Sequence, residues 1–261
     1  MGWSKEFLEK QKEERMKEIR VNSQGYLMRI LEYYNATNII IEFQDEYKTK
    51  VKSAYKEFNN GCVKNPNHKS FEGVGYLGVG KYSYTTHKDS FRKWCEMIKR
   101  CYNPYELNKH PTYIDCYVED KMLCYQNFAK WYEENSYNIP NEILELDKDI
   151  LYKGNKIYSE NTMILVPHRI NSLFVKCDSN RGIYPIGVNY YSKYNCLVVR
   201  CQTLKKRIHL GYFPLNEPFK AFTCYKNFKE NYIKQVADEY KDLIPTELYE
   251  AMYRYEVEIN D

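Results

Sequence analysis

The chain has 261 residues, of which 43% are hydrophobic and 28% charged, and its formal net charge is +4. This length suits two or three modules with real cores. We expect a soluble cytoplasmic protein, because no apolar run approaches the ~18 residues of a membrane helix and the first residues lack an apolar signal-peptide core.

The first half of the chain predicts a helix, a β-rich module and a helical region. Residues 3–20 place apolar side chains among alternating Lys and Glu, which is typical of a packing helix. Residues 24–84 contain candidate strands separated by turns rich in Asn and Gly. Residues 88–135 repeat apolar side chains at helical spacing, and two prolines interrupt the pattern.

The second half predicts two smaller mixed elements. Residues 143–176 favour strand, turn, strand and helix, with Pro167 well placed to open the helix. Residues 183–213 favour three short strands, and a long helix with an apolar stripe follows over 218–240. A last, acidic helix is predicted over 245–258.

Charge is unevenly distributed along the chain. Residues 181–235 carry ten basic and two acidic side chains, a net charge of +8, whereas residues 236–261 carry two and eight, a net charge of −6. The basic segment is typical of a protein that binds a polyanion. A solvated basic face with no partner is the alternative.

Strand alternation sorts the basic segment into two faces. In the second strand Leu197, Val199 and Cys201 share the face expected to pack on the helix. The opposite, open face is expected to bind double-stranded DNA, because Arg and Gln recognise base edges and Lys contacts phosphates. The predicted DNA-binding residues are Asn189, Tyr191, Lys193, Arg200, Gln202, Lys205, Lys206, Arg207 and His209.

The same segment resembles the ethylene-response-factor-type (Apetala-like) domain. The resemblance rests on Pro185–Val188, Arg200, His209–Phe213 and Pro218–Tyr225, which occur in order at the right spacing. It implies three antiparallel strands backed by a helix, with DNA read by the sheet. Asn189 stands where the family often has Arg, and His209 stands where it often has Trp, so base preference is not carried over. A small α+β module used for protein contacts is the alternative.

The preceding segment resembles the HNH (ββα-metal) nuclease finger of phage proteins. The residues that carry this resemblance are 146–151, 154–155, 159–161, 166–168 and Asn171. It implies a hairpin followed by a helix, and a divalent metal (Mg²⁺ or Mn²⁺) if the finger is active. By position, Asp147 and either His168 or Asn171 would bind the metal, and Asn161 would brace the loop.

The finger departs from the family where the general-base histidine belongs, because Lys148 stands there, followed by Asp149. A lysine with the ordinary pKa of ~10.4 is a poor base at neutral pH. In an active finger, Asp149 or Lys148 would assist water. The alternative for Asp147 and Asp149 is a hairpin with carboxylates that point outward, without a catalytic role. The alternative for His168 is a residue at a helix start that hydrogen-bonds to the backbone.

Upstream, residues 94–102, 113–116 and 127–131 also resemble stretches of phage HNH-like proteins. Cys101, His110, Cys116 and Cys124 lack any closely spaced cysteine pair, so zinc is not expected there. Core thiols are the expected role of these cysteines.

The expected fold class is therefore α+β in five segments. They are an N-terminal helix (1–22), a small β-rich module (23–86), a helical region with the HNH-like finger (87–180), a three-stranded sheet with a helix packed on it (181–240) and an acidic tail helix (241–261). The expected function is that of a phage-type HNH-endonuclease-like DNA-binding protein that nicks or cleaves DNA if its finger is active. The alternative is an inactive binding protein, either a DNA-binding regulator or an anti-defence protein that contacts a host protein.

Overall fold

A computed structural model describes residues 5–175, 183–259 and 261. The chain mixes helices with antiparallel sheets, which confirms the α+β class. Its packing separates into two compact units, one of residues up to 112 with 120–130 and the other of 113–119 with 131–261. The start of the predicted N-terminal helix and the predicted boundary at 180 lie outside the described residues.

The first unit begins with helix α1 (Lys5–Met16) and a four-stranded antiparallel sheet. Its strands, adjacent in chain order, are β1 (Ile19–Val21), β2 (Leu27–Asn35), β3 (Asn38–Phe43) and β4 (Lys50–Ser53). The helix predicted to reach residue 20 ends at Met16, because Ile19 pairs with Arg29 of β2 instead. The sheet buries Met28, Ile39 and Phe43 against the short helix α2 (Tyr55–Asn59).

The predicted helical region forms several helices. They are α3 (Lys88–Tyr102), α4 (Pro104–Lys109), α5 (Asp120–Leu123) and α6 (Tyr125–Asn135). Trp94 is fully buried, and its Nε1 donates to the Met122 carbonyl at 3.0 Å. Asn103 ends α3 and caps α4, since its side chain accepts from the amides of Tyr105 and Glu106.

The second unit contains two small strand pairs. β5 (Tyr117–Val118) runs parallel to β7 (Ile157–Tyr158), and β6 (Leu144–Asp147) pairs antiparallel with β8 (Ile164–Pro167). Helix α7 (His168–Asn171) follows β8 directly. The strand expected over 143–151 ends at Asp147, and the helix expected from Pro167 to about 174 ends at Asn171, because the chain turns at Lys148 and again after Asn171.

The three-stranded antiparallel sheet lies in the same unit. Its strands are β9 (Val188–Tyr191), β10 (Cys196–Gln202) and β11 (Arg207–Phe213), and β10 is central. Helix α8 (Pro218–Tyr240) packs against the sheet, as predicted, and α9 (Thr246–Arg254) follows. None of the helices in the described part of the chain is long and apolar enough to cross a membrane.

Helix α8 contributes to two cores of this unit. Its first half buries Ala221 and Tyr225 against the sheet. Its second half buries Ile233, Val236 and Tyr240 in a core shared with β8, α7 and α9. The sheet and the β6–β8 hairpin are therefore both anchored to one helix.

Candidate nucleic-acid interface and candidate metal centre

The three-stranded sheet has one buried face and one open face. Val188, Leu197, Val199 and Cys201 are at most 5% exposed and form the core against α8. Cross-strand pairing places Arg200 beside His209 and Gln202 beside Arg207 on the opposite face. This is the alternation that the sequence predicts.

The open face is cationic at its edges. Lys205 and Lys206 are exposed in the turn between β10 and β11. Thr203 fixes this turn, since its Oγ1 accepts from the Lys206 amide at 3.0 Å and donates to the Lys206 carbonyl at 2.6 Å. Arg207 and Lys193 are also exposed. No Asp or Glu occurs from 183 to 216, so nothing in this stretch neutralises these charges.

Gln202, Asn189 and Arg200 are three of the predicted DNA-binding residues that lie on the open face. The Gln202 side chain donates to the Thr203 carbonyl at 2.8 Å, so it is engaged next to the turn. Asn189 is exposed opposite Val198 on the edge strand β9. Arg200 is half-buried, with its guanidinium 5.9 Å from the Tyr191 ring centre.

The open face is aromatic from its middle to the turn between β9 and β10. The Tyr212 ring lies 4.6 Å from the His209 ring and 5.7 Å from the rings of Tyr191 and Tyr194, centre to centre. We call Tyr191, Tyr194, His209 and Tyr212 the aromatic cluster. Sequence reasoning identified Tyr191 and His209 and missed the other two.

A β-bulge explains why Tyr212 was missed. Arg200 pairs with His209, whereas the preceding Val199 pairs with Gly211, so β11 contains an extra residue. The bulge reverses the alternation and brings Tyr212 to the open face and Phe213 to the core. Gly211 adopts a φ of +147°, which favours glycine. A glycine inside a strand was the available signal.

At the end of β6, Asp147 is partly buried in a tight turn. Its Oδ1 accepts from the amides of Asp149 at 2.9 Å and Ile150 at 2.8 Å. Burial, and then the neighbouring Asp149 carboxylate, raise the pKa of Asp147 to about 6. This carboxylate therefore serves the turn as an acceptor.

Lys148 is buried, with 6% of its surface exposed. Its ammonium donates to the Asn155 carbonyl at 2.9 Å and lies 3.6 Å from the Asp149 carboxylate. Both contacts use the side chain as a donor. Lys148 therefore stabilises the loop and is not poised to accept a proton.

The loop after β6 is braced by Asn155. Its Nδ2 donates to the carbonyls of Lys148 at 2.6 Å and Ile157 at 2.7 Å, and its Oδ1 accepts from the Ile157 amide at 3.2 Å. Asn161, the residue predicted for bracing, is exposed in the turn before β8. Sequence reasoning placed Asn155 in the HNH-like segment but gave it no bracing role.

The side chains predicted to bind a metal are divided between two places. His168 Nδ1 lies 2.6 Å from Glu145 Oε1, and Asn171 Nδ2 donates to the other oxygen of Glu145. Asp147 lies two residues further along β6, where it pairs with Ile164 rather than with the Pro167 end of the hairpin. Glu145 was not predicted as a site residue.

This donor set does not fit a metal shared by Asp147, His168 and Asn171. Nδ1 of His168 and Nδ2 of Asn171 both contact Glu145, whereas Oδ1 of Asp147 accepts from two backbone amides at the other end of the strand pair. Across 5–175, 183–259 and 261, no three His, Cys, Asp or Glu side chains form a group that could hold a metal ion.

An acidic groove of about 820 Å³ lies elsewhere in the same unit. Its floor includes Leu151, Ile164 and Leu165. The charged side chains that line it are Glu134, Glu160, Asp242, Glu247, Glu250 and Arg254. Arg254 is paired with Glu250 at 3.3 Å, so the lining is strongly negative. We call this the acidic groove.

Comparison of the chain with known protein families, with curated proteins and with solved structures gives no match. The function is therefore argued from the residues of these sites.

Proposed function

We propose that the chain is a DNA-binding protein that contacts DNA with the open face of β9–β11. The observation that carries the proposal is the combination of exposed cations on this face with the lack of any Asp or Glu from 183 to 216. A surface of this kind releases condensed counterions when it binds a phosphate backbone. The ethylene-response-factor-type resemblance supports the same face and favours a duplex.

The cations are arranged to follow a backbone. Lys205, Lys206 and Arg207 stand at one end of the sheet, at the turn between β10 and β11. Lys193 stands at the other end, in the turn between β9 and β10. Arg200 lies between them on the central strand. Phosphate contacts at both ends would orient the DNA across the sheet.

We further propose that the β6–β8 hairpin with α7 is an HNH-like finger that serves as a scaffold. Lys148 is engaged by a carbonyl and a carboxylate, and Asp147 is engaged by two amides. Both side chains thus stabilise the loop of the hairpin, which supports a structural role for the finger. The hairpin instead shares a core with α8, which carries the DNA-binding sheet.

The binding proposal is tested by fluorescence anisotropy with a labelled duplex of mixed sequence. The variant Lys206→Ala/Arg207→Ala removes two cations, and Lys241→Ala is the control, because Lys241 is exposed beyond the end of α8. Each lost phosphate contact should weaken binding roughly five- to tenfold at 0.1 M salt. Equal affinity of the double variant, the control and the wild type would reject this face.

The scaffold proposal is tested with supercoiled plasmid in Mg²⁺, Mn²⁺ or EDTA. We expect a mobility shift in all three conditions and nicking in none. Metal-dependent nicking that Asp147→Ala abolishes, with the fold intact by circular dichroism, would show that the finger is an active nuclease.

A second candidate function, binding of a basic protein surface, is favoured by the acidic groove. Five carboxylates and one guanidinium line it. An inactive protein that blocks a host complex by contact would use such a surface. A complex captured by the wild type, resistant to nuclease, and lost in Glu247→Lys/Asp242→Lys would support this function. Capture that disappears on nuclease treatment would reject it.

A further inference from the structure

The aromatic cluster occupies the part of the open face where a duplex-reading sheet needs polar side chains. Tyr191 and Tyr212 lie on the two outer strands with rings nearly parallel, at 27°. Val198 on the central strand pairs with Tyr212 and, on its other side, with Asn189. It is only 2% exposed, although it belongs to the open face. Tyr212 and the rings packed around it thus lie on the open face next to this buried valine.

The aromatic cluster remains accessible to a ligand. Tyr194 is 59% exposed and Tyr212 is 49% exposed. Tyr194 meets both neighbouring tyrosine rings edge-on, at 5.4 and 5.7 Å. These contacts fix the rings before any ligand arrives, so little side-chain freedom is lost on binding.

Flat rings recognise the faces of bases, and in an intact duplex those faces are covered by stacking. Base edges, which a duplex does expose, are read by long polar side chains. Proteins that bind unpaired strands combine aromatic rings with a cationic track for the backbone. The open face has this combination, with rings from its middle to the β9–β10 turn and cations at both ends.

We propose that the aromatic cluster stacks against an unpaired base, so that this face binds DNA with unpaired bases in preference to fully paired duplex. This inference rests on the proposed DNA-binding function and names the form of DNA that the face prefers. The ligand chemistry is an exposed nucleobase flanked by phosphates. A single strand and a locally opened duplex both supply it.

Two cations lie over rings of the cluster. The Lys193 ammonium lies 5.3 Å from the centre of the Tyr194 ring, and the Arg200 guanidinium lies 5.9 Å from that of Tyr191. A base stacked on the cluster would bring its own phosphates within reach of these two side chains. Stacking and charge therefore act on the same nucleotide.

The test compares three labelled DNAs by anisotropy: a 12-nucleotide oligo(dT), a matched duplex and the same duplex with a central unpaired bubble. Tyr212→Leu keeps an apolar side chain over Val198 and removes the ring. It should weaken oligo(dT) and bubble binding about tenfold and matched-duplex binding about twofold or less. Tyr212→Trp should retain wild-type affinity, and its indole fluorescence should be quenched when oligo(dT) binds.

Tyr190→Leu is the matched control. Tyr190 is 50% exposed and pairs with Leu197, which places it on the opposite face of the same sheet. The same chemical change at this position should leave binding of all three DNAs within about twofold. A loss equal to that of Tyr212→Leu would mean that the sheet was damaged and would overturn the stacking role.

The outcomes separate this inference from the function on which it rests. Binding of none of the three DNAs would reject the proposed function itself. Equal affinity for duplex and bubble, with Tyr212→Leu neutral for both, would reject stacking and leave duplex binding intact. Binding of oligo(dT) alone would identify a single strand as the ligand, and binding of both oligo(dT) and bubble would include an opened duplex.

Discussion

Replacing Asp147 with asparagine is expected to stabilise the protein at neutral pH. Burial, and then the Asp149 carboxylate, raise the pKa of Asp147 from 3.8 to about 6. The folded chain therefore binds the proton of the Asp147 carboxyl group more tightly than the unfolded chain does. Its contribution to stability is complete below the unfolded pKa of 3.8 and is lost as the pH rises through about 6.

The magnitude follows from the two pKa values. The difference between about 6 and 3.8 is roughly two units, and each unit corresponds to about 1.4 kcal/mol. The full loss is therefore ~3 kcal/mol, and roughly half of it falls between pH 5 and pH 8. The side-chain amide introduced by Asp147→Asn would keep an oxygen for the amides of Asp149 and Ile150, which now approach within 2.9 Å.

The assay is urea unfolding in EDTA, followed by circular dichroism, at intervals from pH 5 to pH 8. The free energy of unfolding of the wild type should fall by roughly 1–2 kcal/mol relative to Asp147→Asn over this range. Asp242→Asn, at an exposed position, should follow the wild type. Parallel curves for wild type and Asp147→Asn would refute the argument, because they would show that Asp147 does not titrate in this range.

Three further changes test the second unit. Asn155→Ala should lower the unfolding free energy measured in urea by about 2–3 kcal/mol, because it breaks three hydrogen bonds of the loop. Asn161→Ala, at an exposed turn, should lower it by under ~0.5 kcal/mol. Equal losses for the two variants would contradict the bracing role of Asn155. Gly187→Ala should lower the melting temperature sharply, since Gly187 has a φ of +78° and an added Cβ would overlap the Tyr225 ring. An unchanged melting temperature would contradict the close packing of Tyr225 on Gly187. Lys148→His introduces the histidine that the HNH-like resemblance implies. Plasmid nicking should remain absent with Mg²⁺, because Asp147 and His168, two of the predicted metal ligands, still lie in two separate places. Nicking by this variant would contradict the scaffold role.

The open face could be predicted from sequence because strand alternation has a fixed period. Arg200, Arg207 and His209 lie where that period places them. Tyr212 could not be placed, since a single extra residue at the bulge reverses the alternation after it. Because of this local irregularity, sequence reasoning missed Tyr212, although it predicted the cations of the same face.

The hairpin shows a different limit. The order of strand, strand and helix follows from local patterns, and the structure has β6, β8 and α7 in that order. The partners of the side chains do not follow from local patterns. Glu145 meets His168 and Asn171 across 23 and 26 positions of sequence, and only the register of β6 on β8 brings them together. The hydrogen-bond partners of the finger's side chains could therefore be learned only from the structure.

The most direct test of DNA binding is the salt dependence of the wild-type affinity for a duplex, from roughly 50 to 300 mM KCl. Five cations lie on the open face or in the turns at its two ends, namely Lys193, Arg200, Lys205, Lys206 and Arg207. If all five contact phosphates, the slope of log Kobs against log salt should be about −4.5, and about −2.7 in Lys206→Ala/Arg207→Ala. A slope near zero, or the same slope in both proteins, would contradict binding of DNA by this face.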